Sequence, residues 1–261
     1  MLCFHGLPGS RLDLSHQAPL FSDHGIEVIA VDRPGFGRST RVPGRTLLGW
    51  TDDIRVLADR WELDLFSVIG YSSGGKYALA CAATLPGRLA MAAVVAAPGP
   101  PEMPGFRANM TRLDRVSMTL ALRAPALGAA LWRPIRWAVL RYPERFLEAL
   151  EKDISPVDRG YLADAAARRS FLASTQEGLR PGARGVMDEY AIEARPWGFD
   201  PARIERQVRI WHGDQDEIVP LAHSTYLAET IPGASLEVLP GVGHFPGREV
   251  ARIAAALAAA V

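Results

Sequence analysis

Between residues 65 and 84 the chain passes without a spare residue from the apolar run Leu65-Phe66-Ser67-Val68-Ile69, through Gly70-Tyr71-Ser72-Ser73-Gly74-Gly75, into a helical segment at residues 76–84. A strand that turns this abruptly into a helix needs glycine on both sides of the turn, because the backbone bends sharply and neighbouring segments approach closely. The serine at the centre, Ser72, is then left with its hydroxyl projecting above the sheet. Gly-x-Ser-x-Gly alone is a frequent chance motif that also fits a plain helix-capping turn, so its strand-turn-helix setting and its partners decide what it does.

The rest of the chain repeats this alternation. Short apolar runs at residues 2–4, 28–31, 65–69 and 92–96 alternate with helical patterns, as in strand-helix-strand units around a parallel sheet. After the acidic pair Asp52 and Asp53, Ile54, Leu57, Ala58 and Trp61 recur at helical spacing, which predicts an amphipathic helix with a favourably charged start. The alternation stops at Pro98-Gly99-Pro100-Pro101 and resumes near Gln207, with strands expected at residues 208–211 and 236–239. In between lie short helical stretches punctuated by Pro104, Pro125, Pro134, Pro143, Pro156, Pro181 and Pro196, each expected to break a helix. Residues 1–99 and 200–261 are therefore expected to form the core and residues 100–199 a helical lid, or cap, with the Ala-rich tail at 249–261 as a closing helix.

Two later segments follow predicted strands and carry the partners a serine nucleophile needs. His212-Gly213-Asp214-Gln215-Asp216-Glu217-Ile218-Val219-Pro220 offers two carboxylates, and Gly241-Val242-Gly243-His244-Phe245 offers a histidine between glycines. A serine hydroxyl needs a base, and the base needs an acid to orient it and stabilise its charged form. Alone, His244 would be an ordinary loop histidine, and Asp214 and Asp216 capping carboxylates. Together, in the order Ser, Asp, His, they form a candidate catalytic set. The first strand also ends in a glycine-rich turn, His5-Gly6-Leu7-Pro8-Gly9. The backbone N–H groups of Leu7 and Ser73 are the candidate donors for an oxyanion, with His5 shaping the loop.

These segments, with Asp32-Arg33-Pro34-Gly35-Phe36-Gly37-Arg38-Ser39, resemble the bacterial α/β-hydrolase fold family with a helical cap. The resemblance implies a mostly parallel α/β sheet with helices on both faces and an inserted lid. It also implies Ser72 as nucleophile, His244 as base and Asp216 as the acid, with Asp214 and Asp32 as loop-organising carboxylates. The activity it implies is hydrolysis of a carboxylic ester or lactone. Carbon-carbon bond hydrolysis, perhydrolysis, or a non-hydrolytic binding role on the same fold are the alternatives. The antiparallel hairpin strands with which that family usually begins are missing ahead of residues 2–4. The strand at 28–31 is therefore expected at an open sheet edge, covered either by residues upstream of Met1 or by a second copy in a homodimer.

Composition narrows the partners. Lys plus Arg and Asp plus Glu both total 29, so no overall field draws the chain to nucleic acid or an anionic membrane, and a neutral or apolar small-molecule substrate is expected. Met103, Phe106, Met110, Met118, Trp132, Trp137 and Phe146 are expected mainly to pack the lid, with an apolar acyl pocket as the alternative. Arg107, Arg112, Arg115 and Arg123 are expected on a solvated face, balanced by nearby acids. Cys3 and Cys81 lie in apolar runs and read as small hydrophobes. Neither a dinucleotide fingerprint nor a Cys/His cluster stands in the sequence, so no cofactor or metal is expected. With no targeting segment and no long apolar run, the expected location is cytoplasmic.

Overall fold

The computed structural model describes residues 1–108 and 110–259; the last two residues of the predicted closing helix lie outside them. Six strands, β1 (Leu2–Phe4), β2 (Ile29–Val31), β3 (Phe66–Tyr71), β4 (Leu89–Val95), β5 (Val208–Gly213) and β6 (Ser235–Leu239), form one sheet in the order β2-β1-β3-β4-β5-β6. All five pairings are parallel. The helices are α1 (Ala18–Ser22), α2 (Leu47–Arg60), α3 (Gly75–Thr84), α4 (Arg112–Arg123), α5 (Pro125–Arg141), α6 (Pro143–Leu150), α7 (Pro156–Leu162), α8 (Ala165–Leu179), α9 (Arg184–Glu193), α10 (Ala222–Thr230) and α11 (Glu249–Ala258).

Side chains alternate between the two faces of the sheet. Leu2, Phe4, Val68, Ala92, Val94, Val208 and Ile210 enter one buried cluster with α2 and α3. Cys3, Ile69, Met91, Ala93, Val95 and Trp211 enter another with α1 and α11. Strands covered on both faces are apolar at successive positions, which is why each of them stands out in the sequence. Among the described residues the edge strand β2 pairs only with β1, where it was expected.

Two expectations need correction. Helix α2 begins at Leu47, because the Thr46 side chain accepts the Gly49 N–H and fixes the first turn there. Asp52 and Asp53 therefore sit in mid-helix, and Trp61 is the exposed C-cap. The buried stripe runs instead through Leu47, Trp50, Ile54 and Ala58, with the Trp50 ring against Phe4 and Tyr77.

Of the seven prolines named between β4 and β5, three start helices, three lie in turns or loops and one lies inside a helix. Pro125, Pro143 and Pro156 open α5, α6 and α7, where a missing N–H forfeits no bond. Pro134 lies inside α5, which stays helical while packed against α4, α6, α8 and α9. The six helices α4 to α9 all fall between residues 112 and 193 and lie over the carboxyl ends of the strands. Among the described residues no helix is long and apolar enough to cross a membrane.

Candidate active site

Strand β3 delivers Ser72 in a conformation that L-residues rarely adopt, with φ at 51°. Such a backbone stores on the order of 1–3 kcal/mol and persists only where its surroundings enforce it. The glycines around it supply that enforcement. A Cβ on Gly74 would collide with the Phe4 carbonyl, and one on Gly70 with the Gly74 carbonyl. Strand, turn and helix are thus packed backbone against backbone.

The Ser72 hydroxyl lies 3.0 Å from His244 Nε2. His244 Nδ1 lies 2.8 Å from Asp216 Oδ2, and a carboxylate only accepts, so Nδ1 carries the hydrogen and Nε2 is left as acceptor for the serine. Asp216 is itself held firmly: Oδ1 accepts the Ile218 and Val219 N–H groups at 2.9 and 2.8 Å. His212 Nε2 stands 3.2 Å from Oδ2, shared with the Val219 carbonyl, while His212 Nδ1 meets Ser224. Burial pushes the Asp216 carboxyl up, but the facing His244 and the bonds from His212 and His244 outweigh it and hold it well below the usual carboxylate range. Burial lowers His244, and Asp216, with Asp158 and Asp13 beyond it, more than reverses this and leaves the imidazole above its ordinary value. The structure therefore brings Ser72, His244 and Asp216 together.

The neighbouring candidates fall elsewhere. Asp214 accepts the Gly241 N–H at 2.7 Å and stays in the loop. Asp32 accepts from the Arg11 and Arg38 amides at 2.7 and 2.9 Å, organising the Pro-Gly turn. His5 braces its loop, with Nε2 accepting the Arg33 N–H at 3.1 Å. Cys3 and Cys81 are free and buried, and burial pushes both thiols up.

Leu7 and Ser73, the candidate oxyanion donors, line the same cavity as Ser72, a space of about 70 Å³ also walled by α4 and α9 of the expected lid. Of the seven large apolar lid residues named from the sequence, Met110 and Met118 reach this cavity. Met103, Phe106 and Trp132 pack inside the lid, Phe146 packs beside Leu147, and Trp137 is exposed. The lid arginines 107, 112, 115 and 123 are exposed, and among the described residues none forms an ion pair with an acid. The other lid residues of the wall are polar: Asp114, Tyr190 and Glu193.

Two arrangements escaped the sequence. Asp158, on α7 and fully buried, accepts the backbone N–H groups of His244 and Phe245, both at 3.0 Å, and the Ser155 hydroxyl at 2.8 Å. Its carboxylate fills the place of a Gly243 Cβ, so glycine is required just before the histidine. The only local signal, Ser155-Pro156-Val157-Asp158, reads equally as a helix cap, and that is also what it is.

The second is a buried charge cluster behind the nucleophile. Glu189 on α9 pairs with Arg45 at 2.6 Å, Lys76 at 2.8 Å and Arg33 at 3.3 Å, and accepts from Tyr77 and Ser73. Burial opposes its charge, but these three cations hold the carboxyl well below its ordinary range. Lys76 also bonds the Ser73 hydroxyl and lies 3.3 Å from Glu193. The spacing Ser73-x-x-Lys76 resembles a serine-lysine nucleophile pair. Here the ammonium is tied to two carboxylates and the Ser73 hydroxyl is engaged with Lys76 and Glu189, so neither atom is free to act as base or nucleophile.

The alpha/beta hydrolase fold family matches residues 1–247. A non-heme chloroperoxidase of Streptomyces lividans is 28% identical over 243 residues, covering 92% of this chain and 83% of its own. A 2-hydroxy-6-oxo-6-phenylhexa-2,4-dienoate hydrolase of Burkholderia cepacia is 23% identical, covering 85% of this chain and 71% of its own. In structure, an esterase from Exiguobacterium antarcticum superposes with a TM-score of 0.73 at 17% identity, over 99% of this chain and 90% of that one. With its parallel sheet, its strained serine turn and a family match over nearly its whole length, this chain belongs to the α/β hydrolase fold family and is an enzyme of hydrolase type.

Proposed function

We propose that the protein is a serine hydrolase that cleaves small carboxylic esters or lactones through an acyl-enzyme. The observation that carries this reading is the unbroken relay from Ser72 Oγ to His244 Nε2, 3.0 Å, and from His244 Nδ1 to Asp216, 2.8 Å. Ser72 attacks the substrate carbonyl carbon while its proton passes to His244, and the Leu7 and Ser73 amides hold the developing oxyanion. The carbonyl re-forms as the C–O bond to the alcohol breaks, and His244 returns the proton to the leaving oxygen. Water, deprotonated by His244, then attacks the acyl-enzyme, releasing the acid and restoring Ser72.

The cavity favours a neutral ester over a substrate such as the dienoate in the Burkholderia cepacia relative's name. A dienoate is a carboxylate, and among the described residues lining this cavity there is no Lys or Arg to receive one, whereas Asp114 and Glu193 would repel it. At about 70 Å³ the space suits a short acyl group. Two steps test the reading: labelling with a fluorophosphonate probe, expected for the parent and lost in Ser72→Ala, and turnover of short-chain 4-nitrophenyl esters. A parent protein that takes up no label and turns over no ester overturns the serine-esterase reading.

A further inference from the structure

Glu193, the last residue of α9, is only 8% exposed, yet it lines the cavity beside Ser72 and Ser73. Its Oε2 takes Lys76 Nζ at 3.3 Å and the Ser73 hydroxyl at 3.4 Å, whereas Oε1 has no hydrogen-bond donor among the described residues. This oxygen is not sealed from solvent, so the cavity leaves it open to a donor that an entering ligand supplies in place of water. Asp114 shares the wall. Its oxygens take the hydroxyls of Tyr190 and Thr111, both at 2.6 Å, and neither brings a positive charge. Arg33 and Arg45 are committed to Glu189, so among the described residues Lys76, itself shared with Glu189, is the one cation paired with Glu193. The remaining polar neighbour, His223, is held neutral near pH 7, since burial and then His212 lower it to about 4.

We propose that Glu193, supported by Asp114, is a specificity-determining end of the cavity that binds a hydrogen-bond donor, amine or hydroxyl, placed within a few bonds of the scissile carbonyl. The short distance follows from Ser73, whose hydroxyl lies 3.4 Å from Glu193 and whose own amide is the proposed oxyanion donor. Burial raises the Glu193 carboxyl, Lys76 pulls it down, and Glu189 and Asp114 push it up again, to a balance above the ordinary range. An entering ammonium relieves that repulsion and a hydroxyl satisfies Oε1; a substrate carboxylate does neither. This inference rests on the serine-hydrolase reading and adds a substrate class to it.

The test compares kcat/KM of the full-length chain on ethyl butanoate, ethyl 3-hydroxybutanoate, ethyl 3-aminobutanoate and the monoethyl ester of succinic acid. A donor-bearing ester should exceed ethyl butanoate by about ten- to a hundredfold, and the succinate monoester should be the poorest. Amine preference that collapses in Glu193→Gln assigns charge recognition; hydroxyl preference that survives it assigns a neutral donor, and either supports the proposal. The readout is a ratio, so a general loss of rate in the variant does not obscure it. If Glu193→Gln does not fold, Asp114→Asn, at a half-buried position, should reduce the amine-to-butanoate ratio. Faster turnover of ethyl butanoate or of the succinate monoester than of both donor-bearing esters overturns this inference and leaves the hydrolase reading intact. Absence of both fluorophosphonate labelling and all turnover removes the hydrolase reading itself, and this one with it.

Discussion

The loops after β3, β5 and β6 carry Ser72, Asp216 and His244, whereas α7 and α9 carry the buried carboxylates packed against them, and the two groups are built by different rules. Each loop positions its residue through nearby backbone: the strained turn holds Ser72, and the Ile218 and Val219 amides hold Asp216. The helices place Asp158, Glu189 and Glu193 by docking an insertion, so each carboxylate meets partners far away in sequence. Chemistry on the loop side is thus locally determined. Charge on the lid side is a matter of tertiary packing, and losing it should be felt first in stability or in alignment.

The sharpest contrast lies between Ser72 and Glu189. Ser72→Ala and His244→Ala should each cost turnover on the order of 10⁴ or more, because triad members act as a unit, with the thermal midpoint little changed. A Ser72→Ala protein that keeps activity within tenfold would remove Ser72 as nucleophile. Asp216→Asn should cost roughly 10³–10⁴ by leaving the wrong tautomer, and Asp214→Asn far less. Equal losses would mean that the loop's acid is misassigned. Glu189→Gln leaves three buried cations facing one neutral amide. Its expected cost is about 3–5 kcal/mol of stability, lowering the midpoint on the order of 10 °C. An unchanged melting curve would show that the lid does not depend on this cluster.

The same contrast explains what the sequence disclosed. The serine turn and the Asp loop follow β3 and β5, which are buried on both faces and read as largely apolar runs, and the His loop follows the half-exposed edge strand β6, still marked by Leu236, Val238 and Leu239, so their order is visible along the chain. Lys76 lies in an apolar helix with nothing nearby to announce a counter-ion; its partners are 113 and 117 residues further along the chain. Asp158 looks like an N3 residue under a Ser155 cap, and only docking of α7 onto the loop at residues 243–245 reveals its second task. The proline rule failed at one position, Pro134, for a related reason. Pro134 is tolerated within α5 by packing on several helices, a context that periodicity does not carry.

The smallest expected effect joins the two sides. Asp158 accepts one backbone N–H on each carboxylate oxygen, from His244 and from Phe245. In Asp158→Asn one oxygen becomes an NH₂, which faces an amide N–H donor to donor, so the loop must shift and carry the imidazole with it. Displacement of this size should lower kcat about ten- to a hundredfold with KM little affected. The pH profile separates alignment from mere stability. His244 acts as a base only when neutral, and its raised value means that activity is lost as pH falls through a point above the ordinary histidine value of about 6.5. The groups facing it are Asp216, Asp158 and Asp13, with the Tyr71 ring centroid 5.3 Å away and the Tyr71 hydroxyl on the His244 carbonyl. Removing the Asp158 charge makes the imidazolium less favourable, so the acid limb of kcat/KM should move to lower pH even as the plateau drops. If Asp158→Asn lowers the melting temperature but leaves both kcat and the acid limb in place, then α7 merely clamps the lid, and the histidine is positioned by its own loop alone.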